Sequence, residues 1–135
     1  MILVDTSVLI DFLKGQTNDK IQLFSEILSR NIDFGFSCYT FQEVLQGARN
    51  EKEYEQLHDY LSTQIIYFLP VETATYEKAA RLYFDLRRKG ITPRSTIDVL
   101  IALTAIENNL LLLHNDRDFD LMAEQIETLN ILKVI

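Results

Sequence analysis

Ile2-Leu3-Val4-Asp5-Thr6-Ser7 opens the chain, with three apolar residues running without a break into a carboxylate and two hydroxyls. An uninterrupted apolar run, as opposed to an alternating one, marks a strand covered on both faces, as in a parallel sheet. Residues 2–5 read as such a strand, and Asp5 as the carboxylate on which it ends. A second run of the same character, Leu110 to Leu113, leads into His114-Asn115-Asp116-Arg117-Asp118-Phe119. Further strands are expected at residues 33–39, with Gly35 weakening the pattern, at Ile65 to Leu69, stopped by Pro70, and at Thr128 to Leu132.

Helical periodicity fills the intervals. Thr6 or Ser7 caps a helix from Val8 to Leu13, and a second is expected over Asp19 to Arg30. Thr40, with Glu43 three residues on, has the pattern of a capping box, and Phe41, Val44, Leu45 and Ala48 make the buried stripe of the helix that follows to Arg49. Helices are also expected over Glu51 to Thr63, over Thr73 to Arg88, and in a short segment near residues 119–126. Asp98 opens a helix that is apolar almost all round as far as Ile106, and so reads as central and buried. Strands alternating with helices give an α/β fold around a parallel sheet, in a single domain spanning 1–135.

Composition narrows the class. The 135 residues are 47% hydrophobic and 24% charged, enough apolar content for one globular core. No basic segment precedes the first strand, so no secretion leader is expected, and the apolar helix is too short to span a bilayer. The single cysteine, Cys38, fits a reducing cytoplasm and a small buried side chain. A net charge of −7 argues against broad electrostatic binding to nucleic acid, but a local basic strip remains compatible with it.

Ligands of such sheets bind beyond the carboxyl ends of the strands. Asp5 ends the first strand, Glu43 lies in the first turn after the second, Asp98 starts the helix leading to the fourth, and Asp116 follows the fourth by two residues. Taken singly, each has a structural explanation: helix-dipole carboxylates for Asp5 and Asp98, the capping box for Glu43, turn chemistry for Asp116 and Asp118. Taken together, four converging carboxylates must take up protons or bind a cation. Oxygen ligands without a cysteine or histidine cluster point to Mg2+ or Mn2+ over zinc, and such ions support phosphodiester hydrolysis.

Four motifs in this order, Asp5-Thr6-Ser7, Glu43-Val44-Leu45 with Gly47, Ala48 and Arg49, Asp98-Val99-Leu100-Ile101-Ala102, and Asn115-Asp116-Arg117-Asp118-Phe119, resemble the PIN-domain ribonucleases, most closely the VapC-like toxins of toxin–antitoxin pairs. The resemblance covers essentially the whole chain. It implies an α/β/α sandwich with strand order 3-2-1-4-5 and a metal-dependent endoribonuclease site in which water, not a side chain, is the nucleophile. Asp5, Glu43, Asp98 and Asp116 match the acidic site, Asp118 a further acidic position, and Thr6 or Ser7 a supporting hydroxyl. His114 stands where the family usually carries threonine, and a strand-end histidine bonded to backbone is expected. His58 is expected to pack.

The resemblance also implies three partners: an RNA substrate, a cognate antitoxin inserting a basic side chain into the acidic site, and a second copy in a homodimer. Arg49 and the cluster of Arg87, Arg88, Lys89 and Arg94 are the candidates for RNA contact, the cluster serving equally well as helix-end charge. Tyr39, Phe41, Tyr54, Leu57, Tyr60 and Leu61 are apolar enough for core packing or for a partner groove. An RNA-processing nuclease without an antitoxin and a non-catalytic binding module share the fold. A phosphoacceptor domain does not fit, because Asp5 stands alone and the third strand ends in Leu69-Pro70.

Overall fold

The computed structural model describes residues 1–135 as a parallel sheet flanked by helices. In chain order the elements are β1 (Ile2–Val4), α1 (Thr6–Leu13), α2 (Asp19–Ser29), β2 (Phe34–Ser37), α3 (Cys38–Gln46), α4 (Glu51–Ser62), β3 (Ile65–Tyr67), α5 (Thr73–Arg88), α6 (Thr96–Glu107), β4 (Leu111–Leu113), α7 (Arg117–Gln125) and β5 (Asn130–Ile131). The five strands lie in the order β3-β2-β1-β4-β5, and every pairing is parallel. The doubly wound fold and strand order are those expected from sequence.

The pleat explains why β1 and β4 are apolar without alternation. Ile2 and Val4 point into one core, with Val8, Leu9, Phe24, Phe36 and Val44, while Leu3 points into the other, with Leu86, Ile101, Ala102 and Phe119. Leu113 and Leu112 divide in the same way. All of β1 and the Leu112–Leu113 end of β4 are thus buried under α1–α4 on one face or α5–α7 on the other, the two-layered cover a parallel sheet requires, while Leu111 stays exposed. No helix is long and apolar enough to cross a membrane.

Gly35 does not weaken β2. A Cβ there would lie 2.7 Å from the Ile65 carbonyl oxygen and 2.7 Å from the Tyr67 ring, so glycine is what lets β2 and β3 approach.

Several boundaries differ from the sequence expectation: the strands are shorter, α3 ends at Gln46 and not at Arg49, and four helix starts are displaced. Asp5 itself caps α1, accepting the Ser7 N–H, so neither Thr6 nor Ser7 is the cap. Helix α3 begins at Cys38 under Ser37, whose hydroxyl accepts the Thr40 N–H; Thr40 is inside the helix, buried, and the capping box with Glu43 does not form. Ser95 caps α6, which places Asp98 within its first turn and not at its start. Asp116 caps α7, which begins two residues earlier than expected.

Candidate active site

Each acidic side chain is delivered to one edge by an element that ends or begins there. Parallel pairing of β1 with β4 sets Val4 beside Leu113, and the Asp5 N–H donates to the Leu113 carbonyl at 2.9 Å, so Asp5 and the loop after β4 leave the sheet together. Asp5 is 3% exposed. Its Oδ2 accepts from the N–H and hydroxyl of Ser7, whereas its Oδ1, equally buried, has no partner in the protein. A carboxylate oxygen buried and left unbonded is costly, and it marks a place where an external cation or donor belongs.

Two hydroxyl networks hold the surroundings. Ser7 Oγ accepts the Asn115 N–H at 2.9 Å while donating to Asp5, tying the loop after β4 to the end of β1. On the other side Ser37, Thr40, Thr6 and Glu43 form a relay. Ser37 Oγ donates to Thr40 Oγ1 at 3.2 Å, Thr40 Oγ1 to Thr6 Oγ1 at 2.9 Å, and Thr6 Oγ1 to Glu43 Oε1 at 2.8 Å. Glu43 is therefore oriented by Thr6 from α1, not by the N-terminus of its own helix. Thr6 and Ser7 support one carboxylate each, Glu43 and Asp5. Ser37 escaped the sequence reading, and Thr40 was expected only as a helix cap; the signal for both was a pair of hydroxyls at the end of a predicted strand.

Asp98, Asp116 and Asp118 bring carboxylate oxygens within 4.8 Å of one another. Burial pushes the Asp98 carboxyl up to about 7, reinforced by the negative fields of Asp5, Asp116, Asp118 and Glu43. Burial raises Asp5 to about 6, opposed by its bonds from Ser7 and Thr6. All five acidic positions therefore share one electrostatic environment, and Asp118 belongs to the same close group as Asp98 and Asp116.

His114 is 1% exposed and shapes the loop that carries two of these carboxylates. Its Nδ1 accepts the Asp116 N–H at 3.1 Å, so the proton sits on Nε2, which faces Asp120 Oδ1 at 3.1 Å. Burial lowers its pKa, keeping the ring neutral near pH 7. The backbone bond expected of a strand-end histidine is present, with Asp120 as an added anchor.

The basic candidates divide. Arg94 lies on the cluster itself: its Nη2 is 3.0 Å from Asp116 Oδ1 and its Nε 3.3 Å from Asp118 Oδ2. Arg49 pairs with Glu53 on the exposed side of α4. Arg87 and Arg88, with Arg81, surround the Phe84 ring at 5.3–6.0 Å, and Lys89 caps the end of α5.

A PIN-domain family model matches residues 2–125. The chain belongs to the PIN-domain family. Among its relatives, ribonuclease VapC11 of Mycobacterium tuberculosis is 30% identical over 125 residues, covering 91% of this chain and 92% of that protein. Ribonuclease VapC51 of the same organism is 33% identical over 125 residues, covering 90% of this chain and 84% of that one. The fold is shared with VapBC2 from Rickettsia felis, solved bound to a fragment of promoter DNA, with a TM-score of 0.71 at 20% identity over 98% of both chains. In this PIN domain, the carboxylates singled out from sequence are brought to one edge, and Arg94 is brought there with them.

Proposed function

We propose that this PIN domain is a metal-dependent endoribonuclease acting as the toxin of a toxin–antitoxin pair. The observation that carries the reading is the five-carboxylate edge around Asp5, whose buried Oδ1 has no protein partner. The donor set fits a hard divalent cation: Asp98, Asp116 and Asp118, whose carboxylate oxygens lie within 4.8 Å of one another, would hold Mg2+ or Mn2+, with the unpartnered Oδ1 of Asp5 able to join them and Glu43 adding negative charge from α3. Such an ion supplies Lewis acidity that lowers the pKa of water and offsets charge on the phosphodiester.

The chain's own residues do the rest. Ser7 fixes the Asp5 carboxylate through Oδ2 and leaves Oδ1 without a protein partner. Thr6 directs Glu43, a carboxylate able to accept a proton from attacking water. The neutral His114 holds the Asp116 N–H, and through it the loop geometry. Arg87, Arg88 and Lys89, at the end of α5, and Arg49 on the loop before α4 are assigned to the RNA backbone, where positive charge locally reverses the net −7.

The antitoxin is assigned as a partner because solved relatives of this fold include VapBC complexes. A second copy is assigned to α5. Of the six side chains on α3 and α4 that could have formed a partner face, Leu61 is buried, Tyr39, Phe41, Leu57 and Tyr60 pack against the two cores, and Tyr54 alone is exposed. An open apolar groove lies elsewhere, about 460 Å3 between α5 and α6, lined by Tyr76, Ala79, Ala80, Tyr83, Phe84 and Val99 together with Arg87.

The test is cleavage of single-stranded RNA with Mg2+ or Mn2+ by the wild type, Asp98→Asn and Asp116→Asn. Both variants are expected to lose about 100-fold or more in rate. Equal cleavage by all three would overturn the reading.

A further inference from the structure

The mechanism above leaves Arg94 unexplained. It sits on the loop joining α5 to α6, and that loop is pinned independently of its side chain. Gly90 turns the chain at φ +82°, the Ile91 N–H donates to the Leu86 carbonyl at 2.9 Å, and Pro93 is buried. The Arg94 N–H itself donates to Asp118 Oδ2 at 3.1 Å. The guanidinium, by contrast, is 76% exposed although the carboxylates it meets, Asp116 and Asp118, are 21% and 15% exposed. It can therefore leave without moving the backbone, and an exposed pair of this kind is weakly held.

The oxygens it uses are not free for two cations at once. Asp116 Oδ1 already accepts the Asp118 N–H at 2.9 Å in addition to Arg94 Nη2. Asp118 Oδ2 accepts both the N–H and the Nε–H of Arg94. Together with Asp98 these are the carboxylates that would take a divalent ion. Two cations sharing them repel one another, and the doubly charged one has the stronger hold. A guanidinium released there is a planar fork suited to phosphate. It would also extend the positive charge of Arg87, Arg88 and Lys89 from the end of α5 to the acidic edge.

We propose that Arg94 is a positioning residue that changes partners. Without metal its guanidinium holds Asp116 and Asp118 together, and a divalent cation taking those carboxylates releases it to a phosphate of the RNA. This rests on the reading of the edge as a metal-dependent ribonuclease site. Metal occupancy and substrate binding are then coupled through one side chain.

The experiment is calorimetric titration of Mn2+, at fixed ionic strength, into the metal-free full-length chain as wild type, Arg94→Ala, Arg94→Lys and Asp98→Asn. It is paired with cleavage kinetics on single-stranded RNA at saturating Mn2+. Arg94→Ala should bind Mn2+ about three- to tenfold more tightly, with Arg94→Lys in between. Its KM for RNA should rise more than its kcat falls. Unchanged or weaker Mn2+ binding in Arg94→Ala would overturn the competition and make Arg94 a scaffold. Tighter Mn2+ binding with an unchanged KM would overturn the transfer to phosphate. Should the wild type bind no Mn2+, the metal-site reading itself falls and takes this proposal with it, whereas a wild type that binds and an Asp98→Asn that does not leave Arg94 as the sole point in question.

Discussion

Asp5 serves two structures at once: Oδ2 caps α1 through Ser7, while Oδ1 is buried without a partner. The cost of that arrangement has a definite pH dependence. Burial raises Asp5 to about 6 and Asp98 to about 7, both above their unfolded values. A carboxyl raised on folding stabilises the protein fully below its unfolded pKa, and that contribution disappears as pH climbs through the folded pKa. Metal-free protein should therefore lose stability between about pH 4 and 7.5 from these two groups. Asp5→Asn removes its share, so at pH 8 without metal the variant should melt above the wild type, by an amount on the order of 2 kcal/mol. At pH 5 the difference should shrink. Saturating Mg2+ should raise the wild-type melting temperature and leave the variant nearly unmoved. Thermal melts at both pH values, with and without Mg2+, check this, and a variant less stable than wild type at pH 8 would contradict it. At this scale the sequence exposed the carboxylates, because each stands beside a strand end or helix start. It could not expose the Arg94–Asp116 pair or the Thr6–Glu43 bond, which join residues 22 and 37 positions apart through loops.

The elements were legible in kind and less so in their limits. Every strand and helix expected from periodicity is present, because continuous and 3.6-residue apolar patterns report burial directly. Helix starts failed where two capping residues lie within a turn of each other. Ser37 and Thr40 are equally good caps by type, and the choice is made by β2 pairing, in which Ser37 stands beside Tyr67 as the last strand residue. Ser95 and Asp98 pose the same ambiguity before α6, and there the serine takes the cap and frees the carboxylate for the cluster. Gly35 was misjudged for a related reason: local propensity counts against glycine, whereas the approach of β3 demands it. Gly35→Ala should cost about 1–3 kcal/mol, read as a lower urea midpoint, because the new methyl meets backbone as well as the Tyr67 ring. The damage should reach the site, since β2 delivers Ser37 and through it the relay to Glu43. A wild-type midpoint for Gly35→Ala would mean that β2 and β3 are not in such close contact.

At the scale of the molecule, the carboxylates gather at one edge, while the arginines of α5 lie against the apolar α5–α6 groove, around Phe84. The five clustered carboxylates account for part of the net −7, and the basic end of α5 lies beside the loop that carries Arg94 to them. One exposed apolar surface is the α5–α6 groove, where Tyr76 is 52% and Phe84 40% exposed beside the small residues Ala79 and Ala80. Small residues flanked by aromatics let a second α5 approach closely, and a two-fold contact would pair this face with itself. Sequence alone directed attention to α3 and α4, because it cannot say which apolar stripe the core has already used. Ala80→Arg tests the assignment. The side chain is exposed and arginine is a good helix former, so folding and the helical circular dichroism should be retained. Sedimentation of the wild type should give a dimer, and Ala80→Arg, which sets two guanidinium groups against each other across the axis, a monomer. The monomer should keep its affinity for Mn2+, because every carboxylate of the cluster comes from one chain. A variant that stays dimeric would move the interface away from α5. A monomer that loses Mn2+ would mean that the second copy completes the site.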